Sequence, residues 1–420
     1  MTSGKQAANQ ERAGLILALL LFSYILNFLD RQILGILAQP IKADLGLSDT
    51  EFGAIGGLAF ALLYSLLGLP LAILADRTSR AGVISVSVAV WSGFTALCGA
   101  ATGYWQLFLF RLGVGIGEAG GVAPAYALIA ERFAPQNRAR AIAIFSLGVP
   151  LGLALGTLIG AYIAEAIDWR AAFLVMGAIG LVFAPILWFG TRGGTTPRPA
   201  PTRGEFTETF RVLLRKPTFW LLAFAASMSS LTGYGLALWV PSILIRSFGL
   251  DLIGTANFLA SVLLIGGTTA MLAGGILADR LSPRDRRWNA WLPAIAWALT
   301  APCFAIGLMA DSLWVAWPFL LLANGLNILW FGPLVSAIQN LVAPAMRASA
   351  SGAYLVINNL IGLGVGPLLM GAISDQLKAE YGVDSLRLAA VGCLVFYLVA
   401  ALLAVLAARN IRSDWVGDAG

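Results

Sequence analysis

Stretches of about 20 or more mostly apolar residues recur along this chain from end to end, each closed by a short cluster of charged or turn-forming residues. That repetition constrains the fold more than any motif does. A bilayer crossing needs about 20 consecutive apolar residues, and a water-soluble core has no place for so many. Of 420 residues, 59% are hydrophobic and 11% charged, against about 25% charged in an ordinary soluble domain. The runs predict twelve helices. Six lie at about 13–37, 51–75, 81–101, 105–131, 139–164 and 171–190. Six more lie at about 218–246, 252–278, 289–310, 314–343, 348–374 and 387–409. The expected class is an all-α transmembrane fold of two six-helix bundles with pseudo-twofold symmetry. The bundles are placed at residues 1–190 and 218–420. The first span is too long for a signal-peptide core and is expected to remain.

The Gly- and Pro-rich start of the 191–217 stretch reads as a linker. Phe206, Phe210, Leu213 and Leu214 then fall at helical spacing among polar neighbours. They fit an amphipathic helix on the cytoplasmic surface, or equally a flexible linker throughout.

Net charge is +6, but its distribution excludes a nucleic-acid role. All but seven of the 27 Lys and Arg fall in alternate loops and at both termini. That asymmetry is the positive-inside signal and puts both termini in the cytoplasm of a multi-pass protein. Three scattered cysteines give no disulfide or metal spacing. With no histidine in the chain, Ser-His-Asp and Cys-His catalysis and His-based metal sites are excluded. No cofactor, metal or enzymatic activity is expected.

The two halves repeat one another. Leu74-Ala75-Asp76-Arg77 returns as Leu277-Ala278-Asp279-Arg280. Arg138-Ala139-Arg140-Ala141 is paralleled by Arg347-Ala348-Ser349-Ala350, and Gly160-Ala161 by Gly371-Ala372. Parallel six-span repeats with a site near mid-bilayer characterise one large class of transporters. Gly115-Ile116-Gly117-Glu118-Ala119-Gly120 fits a dinucleotide fingerprint, but it lies inside a membrane helix where no strand precedes it. Its glycines, like the row Gly148, Gly152, Gly156 and Gly160, are read as helix-packing positions.

Charges within spans carry the functional information, because a lone charge at mid-bilayer costs at least about 2.5–3.5 kcal/mol. Asp30 and Arg31 lie late in the first span, Arg111 and Glu118 in the fourth. Arg111 and Glu118 share a face about 10 Å apart, so a third group or water must sit between them. One reading is a buried ionic staple joining the two helices. The other gives Asp30 and Glu118 the protons, and Arg31 and Arg111 an anion. Glu118, with no arginine beside it in sequence, is the preferred carrier, and Arg111 the preferred anion site. Protonation can then favour anion binding, as in symport, or the two can compete, as in antiport. Asp76, Arg77, Asp279 and Arg280 at span ends, with Arg138 and Arg140, are expected to gate the cytoplasmic side, the aspartates by facing a helix N-terminus. Tyr234, Trp239, Asn324, Asn327, Asn358 and Asn359 are neutral cavity candidates in the second half, Tyr234, Asn324 and Asn358 foremost. Each alone reads more readily as a structural residue bonding across helices than as a substrate contact. A cavity with one charged wall and one aromatic and amide wall suits an amphiphile with an anionic head.

The whole chain resembles the major facilitator superfamily, through Gly275-x-Leu277-Ala278-Asp279-Arg280; the first copy departs with Ala72 and Ser79. It is most similar to the spinster-like lipid transporters of bacteria. Asn27-x-x-Asp30-Arg31, Arg111-x-x-x-Gly115-x-Gly117-Glu118-Ala119, Ala123-Pro124, Arg138-x-Arg140 and Val149-Pro150-x-Gly152 carry that resemblance. Organic-anion symporters of the superfamily share the Asp-Arg pair and a similar Arg…Glu-Ala. The resemblance implies a monomeric, proton-coupled transporter in a bacterial inner membrane. Its implied substrate is a lysolipid or a sphingoid phosphate, moved by alternating access, with an organic anion as the alternative. A membrane-embedded lipid enzyme and an ion channel are the readings from other classes.

Overall fold

A computed structural model of the chain describes residues 2–191 and 203–416. Helices joined by short turns account for the described residues, with no strand among them. This follows from the apolar runs, since a helix satisfies every backbone polar group within its own segment and lipid offers no other partner.

Arg12–Ile36, Asp49–Arg77, Arg80–Gly99, Tyr104–Arg132, Gln136–Ala166 and Trp169–Thr191 form the first six spans. Pro217–Arg246, Leu252–Leu281, Trp288–Met309 and Leu313–Asn340 are the next four. The remaining helical stretch, Arg347–Asp414, has 68 residues. Continuous, it would be about 100 Å long, against a hydrocarbon core of about 30 Å. It turns at Gly382–Asp384, where Gly382 has a φ of +54°. The eleventh and twelfth spans are therefore 347–381 and 385–414, and the expected twelve crossings are present.

The chain divides into two compact units, Met1–Leu45 with Leu62–Ala200, and Gly46–Ala61 with Pro201–Gly420. In the first, span 1 packs along span 5 and span 3 along span 6. The expected glycine row makes the former contact. A Cβ on Gly152 would stand 2.6 Å from the Ile25 carbonyl oxygen, and one on Gly156 2.6 Å from that of Leu29. Span 4 is not continuous. Its helix stops at Glu118, passes through a tight turn at Ala119–Gly121 and restarts at Val122.

In the second unit, span 7 packs along span 12, and span 10 along spans 8 and 9. The start of span 2 belongs here by its contacts. Ser48 and Glu51 form a capping box at its N-terminus. Asp375 of span 11 accepts from the Asp49 and Thr50 amides at 3.1 and 2.7 Å. Arg246 grips Asp49 with two bonds of 2.8 and 2.7 Å, and Ser374 donates a third at 2.7 Å. The helix Arg203–Leu214 precedes span 7. It buries Leu213 and leaves Phe210 and Leu214 exposed, so this part of the linker is helical. Residues 192–202, and the side chain of Phe206, lie outside the described residues.

Candidate functional site

The four intramembrane charges are paired crosswise. Span 1 carries Asp30 and Arg31 on consecutive residues, which point about 100° apart around the helix. Each meets the opposite charge on span 4. Arg31 Nε donates to Glu118 Oε2 at 2.7 Å, and Arg111 Nη1 donates to Asp30 Oδ2 at 3.1 Å. Thr95 of span 3 donates to the other Asp30 oxygen at 2.5 Å. The group expected between Arg111 and Glu118 is thus the Asp30-Arg31 dipeptide of span 1.

The two pairs differ in access. The Arg111 and Asp30 side chains are 2% and 5% exposed, and that of Glu118 is fully enclosed. Arg31 is the exception at 15%. Its guanidinium carbon lies 4.8 Å from the centre of the Tyr64 ring and 5.2 Å from that of Phe28. The negative faces of these rings help to hold a cation in place. Behind them Tyr24 stacks on Phe145 at 4.3 Å. Glu118 Oε1 is buried with no hydrogen-bond partner. It is placed at the break in span 4, where the helix ends. Chemically, the cluster can hold charge and can take up a proton together with a second anion without a change in its total charge. Among the described residues no group of three or more His, Cys, Asp or Glu could hold a metal.

At the far end of span 2, Asp76 accepts two bonds from Arg80 at 3.0 and 2.6 Å. Arg80, 3% exposed, also donates to Glu131 of span 4 at 3.0 Å. Here Asp76 faces a side chain of its own unit, Arg77 is exposed, Arg80 is buried and Glu131 is half-buried. Arg80 is legible as the i+4 partner of Asp76, whereas Glu131, 51 residues on, leaves no local signal. Arg138 donates to the Phe133 carbonyl at 3.0 Å, and Arg140 is exposed. Arg280 is exposed, and the side chain of Asp279 lies outside the described residues.

In the second unit, Asn358 is buried and accepts from Ser230 at 2.9 Å, which ties span 11 to span 7. Asn327 accepts from Tyr397 at 2.8 Å. Tyr234, Asn324 and Asn359 are half-buried. Trp239 is fully buried and donates its indole N–H to the Pro367 carbonyl at 2.9 Å, a packing position.

Residues 20–367 match the family model described as Major Facilitator Superfamily. A protein of Mycolicibacterium smegmatis named as an MFS-type efflux pump is 35% identical over 94% of this chain and 92% of its own length. The hexuronate transporter of Bacillus subtilis is 26% identical over 86% of this chain and 88% of its own. A crystal structure of a bacterial homologue of the human lysosomal transporter Spinster superposes with a TM-score of 0.85 at 30% identity. That likeness covers 96% of this chain and 98% of the other.

Proposed function

We propose that this chain, which belongs to the Major Facilitator Superfamily and to its spinster-like group of multi-pass membrane transporters, carries an amphiphile with an anionic head, a lysolipid or sphingoid phosphate, coupled to protons. The observation that supports this reading best is the half-open Arg31–Glu118 pair. Arg31 alone of the four charges reaches an accessible surface, and two aromatic faces flank it. A guanidinium there suits a phosphate or carboxylate through its forked donors. Glu118 occupies that position now. When Glu118 takes a proton on its unpartnered oxygen, Arg31 exchanges its carboxylate for the head group. Proton and anion binding then reinforce one another. Arg111, the arginine favoured from sequence, serves here to hold Asp30.

In this reading Asp30 is the second proton carrier. Asp76, with Arg77, Arg80, Glu131, Arg138 and Arg140, and in the second half Asp279 and Arg280, govern closure at the end that the charge asymmetry assigns to the cytoplasm. Tyr234, Asn324 and Asn358 contribute contacts from the second half. The protein works as a monomer in a bacterial inner membrane, with both termini inside.

A second reading, a hydrophilic organic acid on the same arginine, is favoured by the similarity to a hexuronate transporter. One experiment separates the two. Purified protein in proteoliposomes is offered lysophosphatidylglycerol, lysophosphatidylethanolamine, sphingosine phosphate and galacturonate, each with and without a proton gradient. Gradient-dependent movement of an intact lysolipid supports the proposal. Movement of galacturonate alone establishes the second reading, and chemical conversion of the lipid establishes an enzyme. Transport indifferent to the gradient removes proton coupling.

A further inference from the structure

The polar face of span 1 continues beyond Asp30 towards the amino terminus. Ser23, Asn27 and Asp30 follow at intervals of four and three residues and so share one face. All three are buried, at 5%, 2% and 3% exposure. The Asn27 side-chain oxygen is enclosed and has no hydrogen-bond partner. Leaving such a group unmatched is destabilising, and an apolar residue would avoid that.

Two small cavities lie along this face. One is bordered by Ser23, Asn27, Trp91 and Phe145. The other is bordered by Asp30, Trp91, Ser92 and Thr95. Trp91 is a wall of both, and it is itself 2% exposed. The glycines of span 4 hold it there. A Cβ on Gly117 would stand 2.4 Å from the Trp91 backbone nitrogen, and Gly121 faces the Trp91 ring. This gives the glycine-rich stretch of span 4 a local purpose. Asp30 is otherwise closed in by Thr95 and Arg111.

We infer that Ser23 and Asn27 form the proton route between the amino-terminal end of span 1 and Asp30, with Trp91 as the partition between its two chambers. The inference rests on the proton-coupled reading above. An amide does not itself carry the proton. Asn27 orients a relay water that passes a proton beside Trp91 to a second water in the Asp30 chamber. That water gives up a proton as an O–H bond forms on the Asp30 carboxylate, and solvent replaces the proton by way of Ser23. The reverse sequence releases it. The titratable and charged groups facing this line are Tyr24 and Arg31 on span 1, Tyr64 on span 2, Cys98 on span 3, and Arg111, Glu118 and Tyr126 on span 4. Asp30 is the titratable residue bordering the chamber beside Thr95.

Infrared difference spectroscopy after a pH jump on the reconstituted protein tests the route without a substrate. The carboxyl band of Asp30 is identified by its loss in Asp30→Asn. Asn27→Leu fills the chamber with an apolar group and is expected to slow that band at least about ten-fold, the kinetic equivalent of one lost hydrogen bond. Asn27→Ala leaves room for water and is expected to stay within about three-fold of wild type. A residue that merely supports the fold would show no such contrast between the two variants. An Asp30 band with an unchanged rate in Asn27→Leu overturns the route and leaves proton coupling standing. A wild-type protein with no Asp30-dependent band overturns the route, and one in which neither the Asp30 nor the Glu118 carboxyl band responds to the jump overturns proton coupling as well.

Discussion

Replacing Arg111 with Ala separates an arginine that holds the cluster from one that binds an anion. In the structure Arg111 is the charged partner of Asp30, and both side chains are almost wholly enclosed. Truncation leaves Asp30 with Thr95 alone. Removing one member of a buried pair costs about 3–5 kcal/mol. For a unit of this size 1 kcal/mol moves the melting temperature by about 2–4 °C, so the variant should melt roughly 6–20 °C lower. The double variant Arg111→Met/Asp30→Asn removes both charges and should recover most of that loss, because a buried pair exchanged for neutral groups of similar volume is close to neutral in stability. Melting followed by intrinsic fluorescence in detergent measures both. The same protein should still bind anionic lysolipid, whereas Arg31→Ala should weaken binding roughly 30-fold or more, the cost of about 2 kcal/mol or above for a desolvated charge pair. An Arg111→Ala protein that melts with wild type and has lost lysolipid binding would refute the assignment and return the anion to Arg111.

Lysophosphatidylglycerol binding should tighten by up to about ten-fold per unit of acidification over the range where one proton is taken up. Glu118→Gln should flatten that profile and abolish proton-driven uptake, while counterflow exchange persists; a Gln variant that still follows the gradient refutes the role. Arg246→Ala should cost about 3–5 kcal/mol by stranding Asp49, and Asp49→Asn should restore much of it, as read by melting. Outside the membrane, Arg170 holds the Asp44 carboxyl below the usual carboxylate range. The Arg287 amide, and after it Arg412, do the same for Asp285. A depressed carboxyl stabilises the fold above its unfolded pKa, and that stability is lost as pH falls through the folded value. The melting temperature should therefore drop on acidification below about pH 4, and less steeply in a double Asp44→Asn/Asp285→Asn protein; equal slopes refute the contribution.

The crossings were legible because an apolar run of span length has few other uses, and the Gly148–Gly160 row because small residues at every fourth position admit a neighbouring backbone. That the four intramembrane charges meet was also legible, since none is affordable alone. Their pairing was not. Which carboxylate meets which arginine depends on how spans 1 and 4 are rotated about their axes, and Asp30 and Arg31, adjacent in sequence, leave either pairing open. The break after Glu118 was hidden for a similar reason, because glycines inside a span fit a packed helix and a turn equally well. Trp239 shows the limit of residue type as a guide: an indole suits a cavity wall, yet here its N–H is used up on Pro367. Asp49 and Arg246 lie at span ends, where charges are ordinary, and nothing local signals a partnership between residues 197 apart.

Charge balance in the first unit argues for joint binding of proton and anion over exchange of one for the other. As folded, Asp30 and Glu118 offset Arg31 and Arg111, so the cluster is neutral. Enclosed surroundings resist any change in that total, because an uncompensated charge loses its hydration and gains no partner. A proton arriving alone at Glu118 leaves Arg31 unmatched, and an anion arriving alone leaves Glu118 unmatched beside it. Arriving together, the two leave the total unchanged, with Arg31 still paired and Glu118 neutral. Asp30 can take and release a proton, but its arginine is sealed in with it, so no ligand can take the place of that carboxylate. In the proposed mechanism the exposed member of the cluster therefore determines which carboxylate can trade its charge for a ligand's, and that carboxylate is Glu118.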